Sequence, residues 1–330
     1  MLLLPSLAVS SAFCIEGNES SGSQAYSTNQ GVTPFKHLEV ALTGGTTGVG
    51  IDFATPLNDY LQLRGGFSFM PKFTLAMKFG VGIEENMYLR DEAGNTLHDD
   101  EGNPLLSDFG QIINYVEGFT GSKTQNEMTM MAEPSIHNFK LLIDVHPFQN
   151  KRWHFTGGVY IGSSTIASVI NSREDMPTLY TANMFNKIYA KAEADEPYAS
   201  FMGIDIYAGP ALLDYGRIGL DVGQRADGST YKMEPNEYCM VGVDAKVNTF
   251  KPYLGFGYGT SSLSSTRKTN ISFDCGVLFW GGAPDLITHD GTNLTKDITN
   301  IEGKIGQYVD LARKFQVFPV INLRISRLLF

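Results

Sequence analysis

The 330 residues carry 25 Lys and Arg against 35 Asp and Glu, a formal net charge of −10 that excludes the basic surface nucleic-acid binding requires. Hydrophobic residues are 42% of the chain, mean hydropathy is −0.11, and no apolar run reaches the roughly 18 residues of a spanning helix, so a helical membrane protein is excluded. Three cysteines without CxxC or other metal spacing point to neither a metal nor a cofactor.

Residues 1–12, MLLLPSLAVSSA, read as a signal peptide, with Ser10 and Ala12 as the small residues before the cleavage point. Phe13 before Cys14 argues against a lipidated cysteine. Residues 13–36 are polar and rich in Ser, Gly and Asn, a flexible lead-in. From residue 37 to 330 the dominant pattern is period-two alternation, which puts successive side chains on opposite faces of a strand. Leu38, Val40 and Leu42 alternate with Glu39, Ala41 and Thr43; Val49, Ile51 and Phe53 alternate with Gly50, Asp52 and Ala54. The Gly–Thr stretch between them is either a hairpin turn or a kink in one strand. Leu61 to Phe69 alternates likewise, as do Phe139 to Val145, Trp153 to Ile161 and Ile271 to Phe279.

Two long inserts interrupt this pattern, near 71–134 and 164–238. The first holds DEAGNTLHDDEGNPL, whose acidic oxygens could bind calcium but lack EF-hand spacing; the Gly-Asn pairs mark turns. Helical periodicity is expected over 105–119 and 181–193, with a strand over 217–222. Val241 to Thr260, VGVDAKVNTFKPYLGFGYGT, reads as a hairpin that turns at Thr249–Pro252. Cys239 and Cys275 fall in expected strands as small unpaired hydrophobes. Residues 301–314 read as a helix. The apolar phase of the last strand shifts after Ile325, as a bulge would make it.

The alternation fits a soluble sandwich or a membrane barrel, and three features favour the barrel. Short joins at 56–59, 147–152 and 249–252 alternate with very long ones; Phe67, Phe69, Trp153, Phe279 and Trp280 crowd strand ends as girdles do; the chain ends on a strand and a phenylalanine, which the outer-membrane assembly machinery favours. The expected fold is all-β: an antiparallel transmembrane β-barrel of about eight strands, within a range of about 8–10, with small helices in the long connections. Strand parity then poses a problem. If the Gly–Thr stretch is a hairpin, the last strand runs the wrong way for its terminal phenylalanine, unless the 301–314 helix threads the lumen as a plug.

The blocks LRGGFSFMPKF, FKLLIDVHPFQNKRWHFTGGVYIG, KVNTFKPYLGFGYG, FDCGVLFWGGAPDL and FQVFPVINLRISRLLF resemble a little-characterised family of Gram-negative outer-membrane β-barrel proteins, small OmpA/OmpW-like barrels with long outer loops. The resemblance covers the strands and not the two inserts. It implies a barrel in the outer membrane, with outer-membrane lipid and the assembly machinery as partners, and no particular activity.

The inward positions carry Glu39, Asp52, Asp144, Asp244 and Asp274 together with Arg64, Lys140, Lys246 and Arg324. Both signs in similar number suit a filled lumen with paired charges better than an ion path lined by one sign. His146 and His154 share a hairpin and a face, but no serine motif accompanies them, so a lumen role is expected rather than catalysis or metal binding. The function expected is a closed or narrow barrel with a structural role or a ligand at its long loops. A small-solute diffusion channel is the alternative, and an outer-membrane lipid hydrolase a weaker one.

Overall fold

Alternating apolar and polar side chains build eight barrel strands: β1 (Glu39–Gly45), β2 (Gly48–Pro56), β3 (Leu61–Phe69), β4 (His137–Val145), β5 (Trp153–Gly162), β6 (Phe250–Gly259), β7 (Thr269–Leu278) and β8 (Phe318–Leu328). The computed structural model describes residues 35, 37–80, 83–121, 123–263 and 268–330; the expected signal peptide, Cys14 and nearly all of the lead-in lie outside them. Every neighbouring pair is antiparallel, the order around the wall is the chain order, and β8 pairs with β1 from Glu39↔Leu328 to Gly45↔Asn322. Closure removes both free edges, so no strand is left with an unpaired backbone row.

The Gly–Thr stretch is a hairpin. β1 and β2 join through Thr46 and Thr47, and Gly48 takes φ +89°, a conformation that glycine adopts without strain. The count of eight comes from the opposite correction, at Val241–Thr260. Gly242–Lys246 is not a barrel strand and does not pair with β6; it pairs with Thr165–Asn171 on one side and Asp285–Thr288 on the other. The stretch read as a turn, Thr249–Pro252, lies at the start of β6, with Pro252 opposite Val159; the ladder to β7 begins only at Tyr253. A proline is tolerated there because only its missing N–H is lost ahead of that ladder, while its carbonyl accepts from Phe279 N at 2.9 Å. β8 thus ends at the same rim as the start of β1, which removes the parity problem. β8 also pairs residue for residue with β7 and β1, so it has no bulge: Arg327 simply takes the outward position where the apolar phase was expected to continue.

Beyond the other rim the long connections build a cap. Its five-stranded sheet runs Asp285–Thr288, Gly242–Lys246, Thr165–Asn171, Glu127–Pro134, Leu75–Gly80. That order repeats β7, β6, β5, β4, β3, the barrel strands to which each is joined, so the wall continues past the rim on one side. The helices are α1 (Ile83–Met87), α2 (Asp108–Thr120), α3 (Met176–Glu193) and α4 (Gly303–Lys314). Ser107 caps α2 by accepting from Gly110 N at 2.9 Å, and Gly121 closes it at φ +71°. α2 and α3 share a core of Phe109, Ile113, Ala182 and Phe185, with Ile83, Leu212 and Ile218 around it. The α3 amide of Asn186 closes on the backbone of Ile218, donating to its carbonyl at 2.8 Å and accepting from its N–H at 2.7 Å.

α4 does not thread the lumen. Val309, with Ile301 and Ile305, packs in the cap core of Met128, Met130, Tyr231, Val241 and Ile298. The apolar stripe of the helix is buried as its period demands, against a sheet face outside the barrel. In the same core, burial pushes the Tyr231 hydroxyl up to about 12; it donates to Asp290 Oδ2 at 2.9 Å. Cys239 sits in a turn at φ +55° and not in a strand; Cys275 is on β7, facing outward.

Candidate functional site

The lumen is lined by the inward phase of all eight strands. Among the described residues, four carboxylates (Glu39, Asp52, Asp144, Asp274) and four cations (Arg64, Lys140, Lys251, Arg324) are buried there. Arg64 on β3 is the hub. Its Nη2 donates to Asp144 Oδ1 on neighbouring β4 at 2.9 Å, and its Nη1 to Asp274 Oδ2 on β7, the opposite wall, also at 2.9 Å. Arg324 on β8 faces Asp144 Oδ2 at 3.9 Å, again from the opposite wall, and donates to Ser272 Oγ at 3.0 Å. Lys140 lies 2.7 Å from Asp52. Thr156 donates to Asp144 Oδ1 at 2.7 Å, and Gln62 and Asn270 both donate to the Glu39 carboxylate, at 3.1 and 3.0 Å. A charge buried this deeply is tolerated only with partners of this kind.

His146 and His154 lie with ring centroids 5.3 Å apart. They serve different partners: His146 Nδ1 is 2.8 Å from the Lys151 carbonyl of the β4–β5 turn, and His154 Nε2 is 2.7 Å from Asp274 Oδ1. β6 gives way to make this room, since a Cβ on Gly257 would lie 2.3 Å from His154 Nε2. On the cap side the network gives way to an apolar layer of Leu142, Tyr160, Tyr253, Leu278 and Val320. The Tyr160 and Tyr253 rings sit 5.5 Å apart. Above them Trp280 packs on Phe318 and donates from Nε1 to the Phe315 carbonyl at 3.0 Å. Trp280 is therefore an inner closure and not part of an outer girdle, because its ring is buried and its indole N–H is satisfied by that carbonyl.

Of the nine charged residues expected in the lumen, seven meet there: Glu39, Asp52, Arg64, Lys140, Asp144, Asp274 and Arg324. Asp244 and Lys246 do not. They lie on the cap strand Gly242–Lys246, where Asp244 accepts from Ser168 Oγ at 2.7 Å and Lys246 is exposed. Lys251 joins the lumen charges although its segment reads as a turn in the sequence. It is buried, and donates to Asn138 Oδ1 at 3.1 Å and the Ser163 carbonyl at 2.9 Å. Its signal was its phase, two residues before Tyr253 and four before Gly255.

The outer face is the inverse of the lumen. Leu42, Ile51, Phe67, Leu141, Phe155, Leu254, Phe273 and Leu323, one from each strand, are between 47% and 66% exposed. The Trp153 and Tyr258 rings meet at a tilt, centroids 4.9 Å apart, at the short-turn rim, and Phe69, Phe250 and Phe279 ring the cap rim. Apolar outside, polar inside and aromatic at both rims is the pattern of a barrel whose solvent is lipid. The chain is an antiparallel transmembrane β-barrel of eight strands with a folded cap.

No family model and no curated protein matches the chain. Among solved structures it is similar to Acinetobacter baumannii CarO2, at 12% identity and TM-score 0.38, over 91% of this chain and 100% of that one. It is also similar to Acinetobacter baumannii CarO, at 11% identity and TM-score 0.36, over 88% and 97% respectively.

The cap carries a second candidate surface. Two adjoining clefts of about 440 and 700 Å³ share Tyr115 of α2, Ile188 of α3 and Tyr198; Tyr207, Asp108 and Gln111 complete the smaller. Tyr115 is 71% exposed. Tyrosine walls with a few polar groups offer flat apolar contact together with hydrogen bonding.

Proposed function

We propose that the protein is an integral outer-membrane barrel with a closed lumen, whose cap faces away from the cell and engages a ligand at its tyrosine-walled cleft. The observation that carries the closed lumen is Arg64, which spans the lumen from β3 to Asp274 on β7 and is buried with its partners. An eight-strand barrel has an interior just wide enough for side chains to fill. The apolar belt supports a lipid environment, with outer-membrane lipid and the barrel assembly machinery as the partners of insertion. Short turns at one rim and long connections at the other support an outward cap, as in outer-membrane barrels.

The test is single-channel recording of the purified protein in a planar bilayer. A silent membrane, with the folded protein recovered from it, supports the closed barrel. Stable conductance steps overturn it in favour of a narrow diffusion channel.

A further inference from the structure

α4 lies across the cap sheet without filling the space beneath it. A partly open cavity of about 190 Å³ remains between the helix and the sheet face that carries Met130, Val169 and Val243, with Leu294, Ile305 and Val309 also lining it. Of its lining side chains only Tyr308 bears an oxygen or nitrogen atom. A buried water needs two to four polar partners, so this space does not suit water. Dry cavities of about 150 Å³ lined by aliphatic and aromatic side chains are known to take benzene or xenon. Met77, Met130 and Met233 all reach the cavity. Their thioethers adapt in shape and make favourable contacts with ring edges.

The helix is anchored unequally. At its C-terminal end Arg313 donates to the backbone carbonyls of Leu294, Thr295 and Ile298, at 3.4, 3.1 and 3.0 Å from Nη2. Towards its N-terminus, beside the packing of Ile301 and Ile305, the ties to the cap sheet are an exposed Lys304 Nζ bond to the Lys78 carbonyl at 3.1 Å and an edge contact of Tyr308 with Phe79, ring centroids 6.4 Å apart. Both partners sit on Leu75–Gly80, the edge strand of the cap sheet. The side that opens at least cost is therefore the Phe79–Tyr308 edge.

We infer that this cavity is a binding site for a small uncharged aromatic molecule of single-ring size, entering between Phe79 and Tyr308. It is separate from the lumen and from the tyrosine-walled cleft, so it does not depend on either reading above.

The experiment is a toluene titration of the full chain in lipid nanodiscs, read from the methionine ε-methyl NMR signals. Met77, Met130 and Met233 should shift and saturate, while Met131, on the opposite face of the same sheet, stays still. Ala312→Phe fills the cavity from the helix side, and Val169→Ile fills less of it should the larger change disturb folding. With heat-resistant mobility of the barrel unchanged, the filled variant should bind toluene at least tenfold more weakly. Shifts that never saturate, shifts of equal size at Met131, or unchanged affinity in a folded filled variant would each overturn the site.

Discussion

Arg64 and Asp274 stand 210 residues apart in sequence and meet at 2.9 Å across the lumen, from strands on opposite walls. The same guanidinium holds Asp144, so one side chain ties three strands. Arg64→Ala leaves two buried carboxylates short of their cation. It should destabilise the barrel by about 3–5 kcal/mol, the usual cost of breaking a buried pair on one side. Asp274→Asn in the same chain should recover part of that loss. Urea unfolding in lipid vesicles measures both, and additive effects of the two changes would show that the pair is not coupled.

The face assignments separate two substitutions that the alternation alone makes look alike. Phe256→Arg puts a cation on the outer belt of β6, and should cost about 2–4 kcal/mol if the site lies near the midplane. Val243→Arg instead buries a charge in the cap core and should leave the barrel intact. Gel mobility of the unheated protein separates them. Phe256→Arg should lower the yield of the heat-modifiable form, and Val243→Arg should keep that form while exposing the cap to protease.

This pair also shows what the sequence could and could not reveal. Alternation reports that one side of a strand is apolar, without saying whether lipid or a protein core covers it. For β3 to β5 and β7 the two solvents give the same strand, and the boundaries followed. At Val241–Val247 the apolar side faces α4, not lipid, so Asp244 and Lys246, correctly placed on the polar side, were assigned to the wrong space. The cross-lumen pairs were legible only as a balance of charge. Which carboxylate meets which cation depends on strand tilt and stagger, which no local pattern encodes. The cap sheet pairs residues 41 apart at Met130↔Asn171, 45 apart at Val243↔Thr288 and 72 apart at Gly242↔Ile170, and such pairing leaves no short-range signature.

The DEAGNTLHDDEGNPL stretch of the first insert makes a pH-dependent local prediction. Asp91 Oδ1 accepts from Ala93 N and Asn95 N at 2.9 and 2.8 Å, and Asp99 does the same with Glu101 and Asn103. Both are turns, with Gly94 and Gly102 at φ +83° and +84°. The Asn95 side-chain amide lowers the Asp91 carboxyl, and the Asn103 backbone N–H lowers that of Asp99. Because the folded values are depressed, the turns are supported above the ordinary carboxylate range and lose that support as pH falls through the lowered values. The protection of the Asn95 and Asn103 amides, taken against the intrinsic exchange rate at each pH, should fall under acid and in Asp91→Ala and Asp99→Ala, each at its own turn. Equal protection in the variants and the parent would refute the role of the aspartates.

Deleting Gly303 to Arg313 and bridging the gap with a flexible linker tests the place of α4. Were the helix a plug, its removal would open a path through the barrel. Its apolar side instead covers the cap sheet through Ile305 and Val309, while the lumen is closed from below by the Arg64 and Arg324 network and from above by Tyr160, Tyr253 and Leu278. None of those closing groups belongs to α4. The shortened chain should therefore assemble and conduct no more than the parent, while its cap exposes Met130, Val169 and Val243 and binds an apolar fluorescent dye. Conductance that appears on deletion of α4, with the lumen residues unchanged, would move the closure of the barrel from its ion pairs to this helix.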